Sequence, residues 1–189
     1  TLNHNLGVAP DLIFVKRRDS STQGSWWCYN SYNGAGYYSL LNGNYATNNA
    51  STTIWQNTTP TSTTFKVSSA SDSTNVSGGT YVAYLFGSCT GVSKFGSYTG
   101  TGATQTISCG FTGGARFVLI KRADSTGDWY VWDTARGMVA GTDPYLLLDT
   151  TAAEVNANNV YTTTGGFQIV GTGAGINASG GSYIYFSVA

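Results

Sequence analysis

The chain has 189 residues, of which 25 are Gly, 27 Thr, 20 Ser and 14 Asn, against nine Lys/Arg, nine Asp/Glu and 26 aromatics. So few charged helix formers exclude a helical bundle or coiled coil, and the aromatic content excludes intrinsic disorder. A formal net charge of zero leaves no Lys/Arg excess to displace counterions from phosphates, so nucleic acid is not an expected partner, and no apolar run approaches the roughly 20 residues of a membrane-spanning helix.

In chain order, Leu12 to Arg17 is an apolar run of strand length between Pro10 and the Asp19-Ser20 turn. Trp26 to Asn30 follows at hairpin distance, then Tyr37 to Leu41, Phe65 to Val67 and Tyr81 to Phe86. The series then recurs as Phe117 to Arg122, Trp129 to Asp133, Tyr145 to Leu148, Phe167 to Val170 and Tyr183 to Val188. The residues between the first two of these, Asp124 to Asp128, are turn formers. Ser-Gly-Gly precedes the last strand of each series, at Ser77 and Ser179, marking a tight turn whose positive φ only Gly adopts cheaply. No segment sustains a 3.6-residue period beyond a turn or two.

The two series align with each other. Thr1-Leu2-Asn3 through Lys16-Arg17 fall on Thr106-Ile107-Ser108 through Lys121-Arg122 without a gap, Asp19 meets Asp124 at the same offset, and after a two-residue deletion Gly24 and Trp26 meet Gly127 and Trp129. Asn75 to Val82 lies on Asn177 to Ile184. The expected fold is therefore all-β, with two similar antiparallel β-sandwich (jelly-roll-like) lobes from an internal duplication, residues 1–90 and 91–189. Lys94 to Gly100 reads as an opening strand of the second lobe, and the first lobe has no counterpart of it. An uncovered sheet edge is an aggregation hazard. The expectation is that the polypeptide continues upstream of Thr1, or that another chain supplies this strand.

Residues with chemistry are sparse. Cys28, Cys89 and Cys109 lack the close paired spacing of a metal site. Cys28, between Trp27 and Tyr29, reads as a small buried hydrophobe, and a Cys89–Cys109 bridge is left open. His4 is the single histidine and cannot build a multi-His site. The glycines at Gly100-Thr101-Gly102 and Gly171 to Gly175 precede no helix and no Lys-Ser/Thr pair, so they read as hairpin tips and not as phosphate cradles. Asp124, Asp128, Asp133, Asp143 and Asp149 could supply a hydrolase pair or one turn-bound calcium, but hydrogen-bonded turn carboxylates account for them more simply. Four N-glycosylation sequons, at Asn49, Asn57, Asn75 and Asn177, carry no weight in a chain so rich in Asn, Ser and Thr. No cofactor, metal or catalytic residue is assigned, and no enzymatic activity is expected.

Two patterns remain as ligand or interface candidates. Lys16-Arg17 and Lys121-Arg122 recur at matched strand ends. They either pair with Asp19 and Asp124 across the next turn or offer a guanidinium to a subunit or a ligand carboxylate. In Trp26 to Tyr29 and Trp129 to Trp132, alternation puts Trp26 and Trp129 on one face and Trp27, Tyr29, Tyr130 and Trp132 on the other. Taking the Trp common to both repeats as core leaves the second set to be covered by protein or exposed for stacking on sugar rings.

His4 to Lys16, Tyr81 to Phe86, Val92 to Gly100 and Trp129 to Asp133 together resemble a duplicated β-domain of unknown function found in tailed-bacteriophage virion structural and tail-fibre proteins. The resemblance covers essentially the whole chain. It implies a virion (extracellular) location, self-association and contact with other virion proteins. The expected function is that of a non-enzymatic fibre, spike or capsid-decoration module in assembly, with host-surface attachment as a second task. The alternative is a lectin-like module that binds a cell-surface polysaccharide through the four aromatics.

Overall fold

The computed structural model describes residues 1–20, 24–69 and 73–189. These residues form an all-β chain of antiparallel sheets, and none of the described residues is helical. The strands are β1 (Leu2–Asn3), β2 (Leu12–Arg17), β3 (Trp26–Asn30), β4 (Tyr37–Leu40), β5 (Asn49–Ala50), β6 (Thr64–Phe65), β7 (Tyr81–Phe86), β8 (Ser93–Thr99), β9 (Gln105–Ser108), β10 (Phe117–Arg122), β11 (Trp129–Asp133), β12 (Tyr145–Leu147), β13 (Val160–Thr163), β14 (Gly166–Ile169) and β15 (Ser182–Val188). The long apolar runs of the sequence became the central strands, because β-branched and aromatic side chains fit a pleated, half-buried surface.

Two compact units divide the chain. The first comprises Thr1–Gly43 and Thr47–Gly87; the second comprises Asn44–Ala46 and Ser88–Ala189. In the first unit a five-stranded sheet runs β5-β4-β3-β2-β7, and β1 pairs with β6 in a second small sheet. Its core gathers Ile13, Val15 and Tyr29 from the large sheet with Phe65 from the small one, together with Ile54, Trp55 and Val67. Tyr29 meets Trp55 edge to face at 6.0 Å, a favoured geometry for aromatic quadrupoles.

In the second unit the large sheet runs β12-β11-β10-β15-β8, and a three-stranded sheet runs β13-β14-β9. Val118, Ile120, Trp132, Tyr183 and Tyr185 from the first sheet share a core with Val160, Phe167 and Ile169 from the second. Gly166 allows the close approach of β14 to β9, since a Cβ there would stand 2.1 Å from the Ile107 carbonyl oxygen. Gly96 does the same for β8, where a Cβ would meet the Tyr185 ring at 2.6–2.7 Å. All three cysteines are free, Cys28 and Cys109 buried and Cys89 exposed. The Cys89–Cys109 bridge left open by the sequence is therefore not formed.

Candidate functional site

β7 is the strand whose surroundings suit an interaction. Its sequence, Tyr-Val-Ala-Tyr-Leu-Phe, has no charge, no Pro and no Gly. It pairs antiparallel with β2, Arg17 opposite Tyr81 through Leu12 opposite Phe86, and it ends the sheet. In an antiparallel ladder every second residue turns both backbone groups toward its partner. The Arg18 N–H donates to the Thr80 carbonyl at 2.8 Å, so Val82 and Tyr84, of the same parity, face β2. Tyr81, Ala83 and Leu85 then turn their N–H and C=O outward, and no strand among the described residues pairs with that side.

The side chains around this edge are aromatic. Tyr84 is 49% exposed and stacks on Trp26 at 6.1 Å with the rings 26° apart. Lys16 Nζ stands 5.9 Å from the Trp26 ring centroid and donates to the Gly24 carbonyl. On the other face Tyr81 and Leu85 pack against the first unit's core. Ala83 is exposed between them.

The matched edge of the second unit is covered. β15 pairs along its whole length with β8, Ser182 opposite Thr99 through Val188 opposite Ser93. Tyr185 and Phe186 are 5% and 7% exposed there, against the exposed Ala83 and Tyr84 at the corresponding places of β7.

Of the two outcomes left open for the second aromatic set, cover by protein or exposure, the structure shows cover. Tyr29 is 2% and Trp132 0% exposed; Trp27 and Tyr130 are partly buried against the two cores. Burial drives the hydroxyls of Tyr29 and Tyr130 up to about 12 each. Tyr130 stacks on Trp132 at 5.7 Å, and Tyr145 leans on both rings. Trp129 is buried as well, so both faces of β11 are covered, and neither face of this strand offers a platform for stacking.

The basic pairs follow the simpler of their two readings. Arg17 bonds Asp19 at 2.7 Å and Arg122 bonds Asp124 at 2.9 Å. Each arginine holds its carboxylate below the ordinary range by that hydrogen bond. Arg122 also donates to the Ala174 carbonyl at 3.1 Å. Lys121 is wholly buried, donating to the Arg122 carbonyl at 2.9 Å and lying 6.0 Å from the Trp129 centroid. It is therefore no surface contact for a ligand.

The acids are dispersed into structural roles, with one exception. Asp133 pairs with Arg136 at 2.8 Å, and buried Asp143 accepts from the N–H groups of Asn159 and Val160. Asp128, however, shares a hydrogen bond with Asp149. Burial and then the neighbouring Asp149 push its carboxyl above the ordinary range, against the pull of Lys121. Asp149 also accepts the Trp129 N–H at 3.0 Å. Sequence inspection named both aspartates without pairing them. It also left out Ala83 and Tyr84.

The class defined by these features is an all-β chain of two compact units built of antiparallel sheets, with β7 ending its sheet in the first and β15 paired on both sides in the second. The chain belongs to the family described as Domain of unknown function (DUF7483), whose model matches residues 1–189. No curated protein and no solved structure matches it. No helix among the described residues is long and apolar enough to cross a membrane.

Proposed function

We propose that this chain is a non-enzymatic structural module of a virion, a fibre, spike or capsid-decoration part, that works in assembly through its exposed sheet edge. Host-surface attachment would follow from such a position on a particle. The observation that carries the reading is the uncharged outer edge of β7, which no strand among the described residues pairs, whereas β15, which aligns with it in sequence, is paired on both sides. The residues first considered for a ligand, Trp27, Tyr29, Tyr130, Trp132, Lys16, Arg17, Lys121 and Arg122, are engaged in cores and local contacts, which favours assembly over the glycan-binding alternative.

The same reading takes the two units as copies of one sandwich module. Matching contacts support it. Leu2 pairs with Phe65 as Ile107 pairs with Phe167, and the Trp26 and Trp129 N–H groups donate to Asn42 and Asp149 at 2.8 and 3.0 Å. The Tyr81 and Tyr183 hydroxyls accept the N–H of Val76 and Ala178 at 2.9 and 2.8 Å. Sedimentation velocity across a concentration series, beside a glycan-array screen, tests the function. Concentration-dependent association without glycan binding is expected, and a monomer that binds a glycan refutes the reading.

A further inference from the structure

Asp143 is a buried carboxyl of which the fold employs one oxygen. The residue is wholly buried. Its Oδ2 accepts the N–H groups of Asn159 and Val160, while Oδ1, buried as well, has no hydrogen-bond partner among the described residues. A buried polar atom without a partner costs free energy and calls for an explanation. Holding the start of β13 explains Oδ2 and leaves Oδ1 without an account.

The next residue supplies one. Of the chain's three prolines, Pro10 follows Ala9, Pro60 follows Thr59 and Pro144 follows Asp143, so the chain has a single Asp-Pro bond and this carboxyl sits on it. Aligning Tyr38 with Tyr145 places Gly36 and Tyr37 at the same positions of the first series, so the pair is no requirement of the shared strand pattern. An aspartate side-chain oxygen reaches its own backbone carbonyl carbon by closing a small ring. The proline nitrogen, tertiary in the peptide and a basic secondary amine once released, leaves more readily than the nitrogen of other residues.

The surroundings hold both reacting groups in place. The Asp143 N–H donates to the Ala157 carbonyl and the Tyr145 N–H to the Val155 carbonyl, each at 2.9 Å, so the backbone is anchored on both sides of the Asp143–Pro144 bond. Such fixing is what makes an intramolecular attack fast. Burial pushes the Asp143 carboxyl above its ordinary range, against the pull of the Val160 and Asn159 N–H groups and its own. It therefore keeps a proton where an exposed aspartate has lost it, and the departing nitrogen needs that proton.

We propose that the chain cuts its own backbone between Asp143 and Pro144, with the Asp143 carboxyl as the nucleophile. Oδ1 bonds to the Asp143 carbonyl carbon, the C–N bond to Pro144 breaks, and the carboxyl proton passes to the proline nitrogen. Water then opens the cyclic anhydride, leaving an α- and a β-carboxyl on Asp143 and a free amine on Pro144. The event happens once per molecule, and it stands apart from the assembly reading above, since neither needs the other. The second unit stays assembled across the cut, because β12 is paired with β11, β14 with β9, and β15 with both β10 and β8.

The rival is the ordinary acid lability of an Asp-Pro bond, which needs no fold. The unaltered chain is incubated at about pH 5, above the ordinary carboxyl range, in buffer and in parallel in guanidinium chloride, and is denatured before intact-mass measurement. The expected products are residues 1–143 and 144–189, with masses summing to the parent plus one water. They should form about tenfold or more faster from the native than from the unfolded chain. In heavy-oxygen water, label should enter both carboxyls of Asp143, since water opens the anhydride on either side, whereas direct hydrolysis labels the α-carboxyl alone. Asp143→Glu, which enlarges the ring, and Pro144→Ala, which keeps the carboxyl and worsens the leaving group, should each lose most of the cleavage, with circular dichroism reporting the fold. The comparison of native with unfolded chain needs no variant. A native chain that stays intact for weeks, one cut no faster than in denaturant, or label confined to the α-carboxyl overturns the proposal. None of these results bears on association measured by sedimentation.

Discussion

Replacing Trp132 with alanine separates a core role from a binding role. Trp132 is fully buried, flanked by Tyr130 and Tyr145, each at 5.7 Å, and packed in the second unit's core. Truncation of a buried Trp costs about 3–5 kcal/mol through lost transfer energy and the cavity left behind. At about 2–4 °C per kcal/mol for a chain of this length, the melting temperature should fall by about 6–20 °C. Trp132→Phe should cost markedly less. It keeps most of the ring and removes an indole N–H that has no hydrogen-bond partner among the described residues, a group whose burial carries a penalty of about 1–3 kcal/mol. Differential scanning calorimetry of both variants provides the comparison. A Trp132→Ala protein that melts within about 2 °C of the parent would refute the burial argument and reopen a surface role.

Further outcomes follow from the carboxylates and glycines. Asp128 titrates above its ordinary 3.8 in the folded chain, so its contribution to stability is full below that value and lost as pH rises through the folded one. Asp128→Asn should therefore raise the neutral-pH melting point, by the few tenths to about 1 kcal/mol expected of a like-charged pair, and leave the melt at pH 3 unchanged. Asp124 behaves oppositely: its lowered value, set by the Arg122 hydrogen bond, adds stability above pH 3.8 that disappears as pH falls. Asp124→Asn should cost at most about 1 kcal/mol at pH 7, since the pair is surface-exposed, and nothing in acid. Lys121→Met should move the Asp128 carboxyl further upward by removing a nearby cation, which carboxyl-carbon NMR would register; an unchanged titration would contradict the contact. Gly166→Ala should destabilise by more than about 2 kcal/mol, as the new Cβ meets the Ile107 backbone, whereas Gly173→Ala, with open space around it, should melt close to the parent.

Strand content was legible because period-two apolar runs and Gly/Asn/Ser turns report directly on half-buried sheets. Leu12 to Arg17, Trp26 to Asn30, Phe117 to Arg122 and Trp129 to Asp133 match their strands end to end. The two-residue strands β1 and β5 went unread, being too short for alternation to register, and β13 lies in Val-Tyr-Thr-Thr with one apolar anchor. The exposure of the aromatics was not legible, for a different reason. Alternation sorts side chains into two faces but does not say that one is wet, and the burial of both Trp129 and Trp132 shows that β11 has no wet face. The Arg17–Asp19 and Arg122–Asp124 contacts were readable from their two-residue spacing. The Asp128–Asp149 contact joins positions twenty-one apart, and sequence spacing says nothing of such pairs. The open side of β7 was not legible, because period-two alternation marks a strand without saying which strands pair with it.

Amide hydrogen exchange along β7 bears most directly on the claim that this edge is the working surface. The Ala83 and Leu85 N–H groups should exchange rapidly at low micromolar concentration and gain protection as concentration rises, while Tyr183 and Tyr185, bonded to β8, stay protected throughout. Protection of Ala83 and Leu85 at every concentration, or of neither at any, would contradict the account.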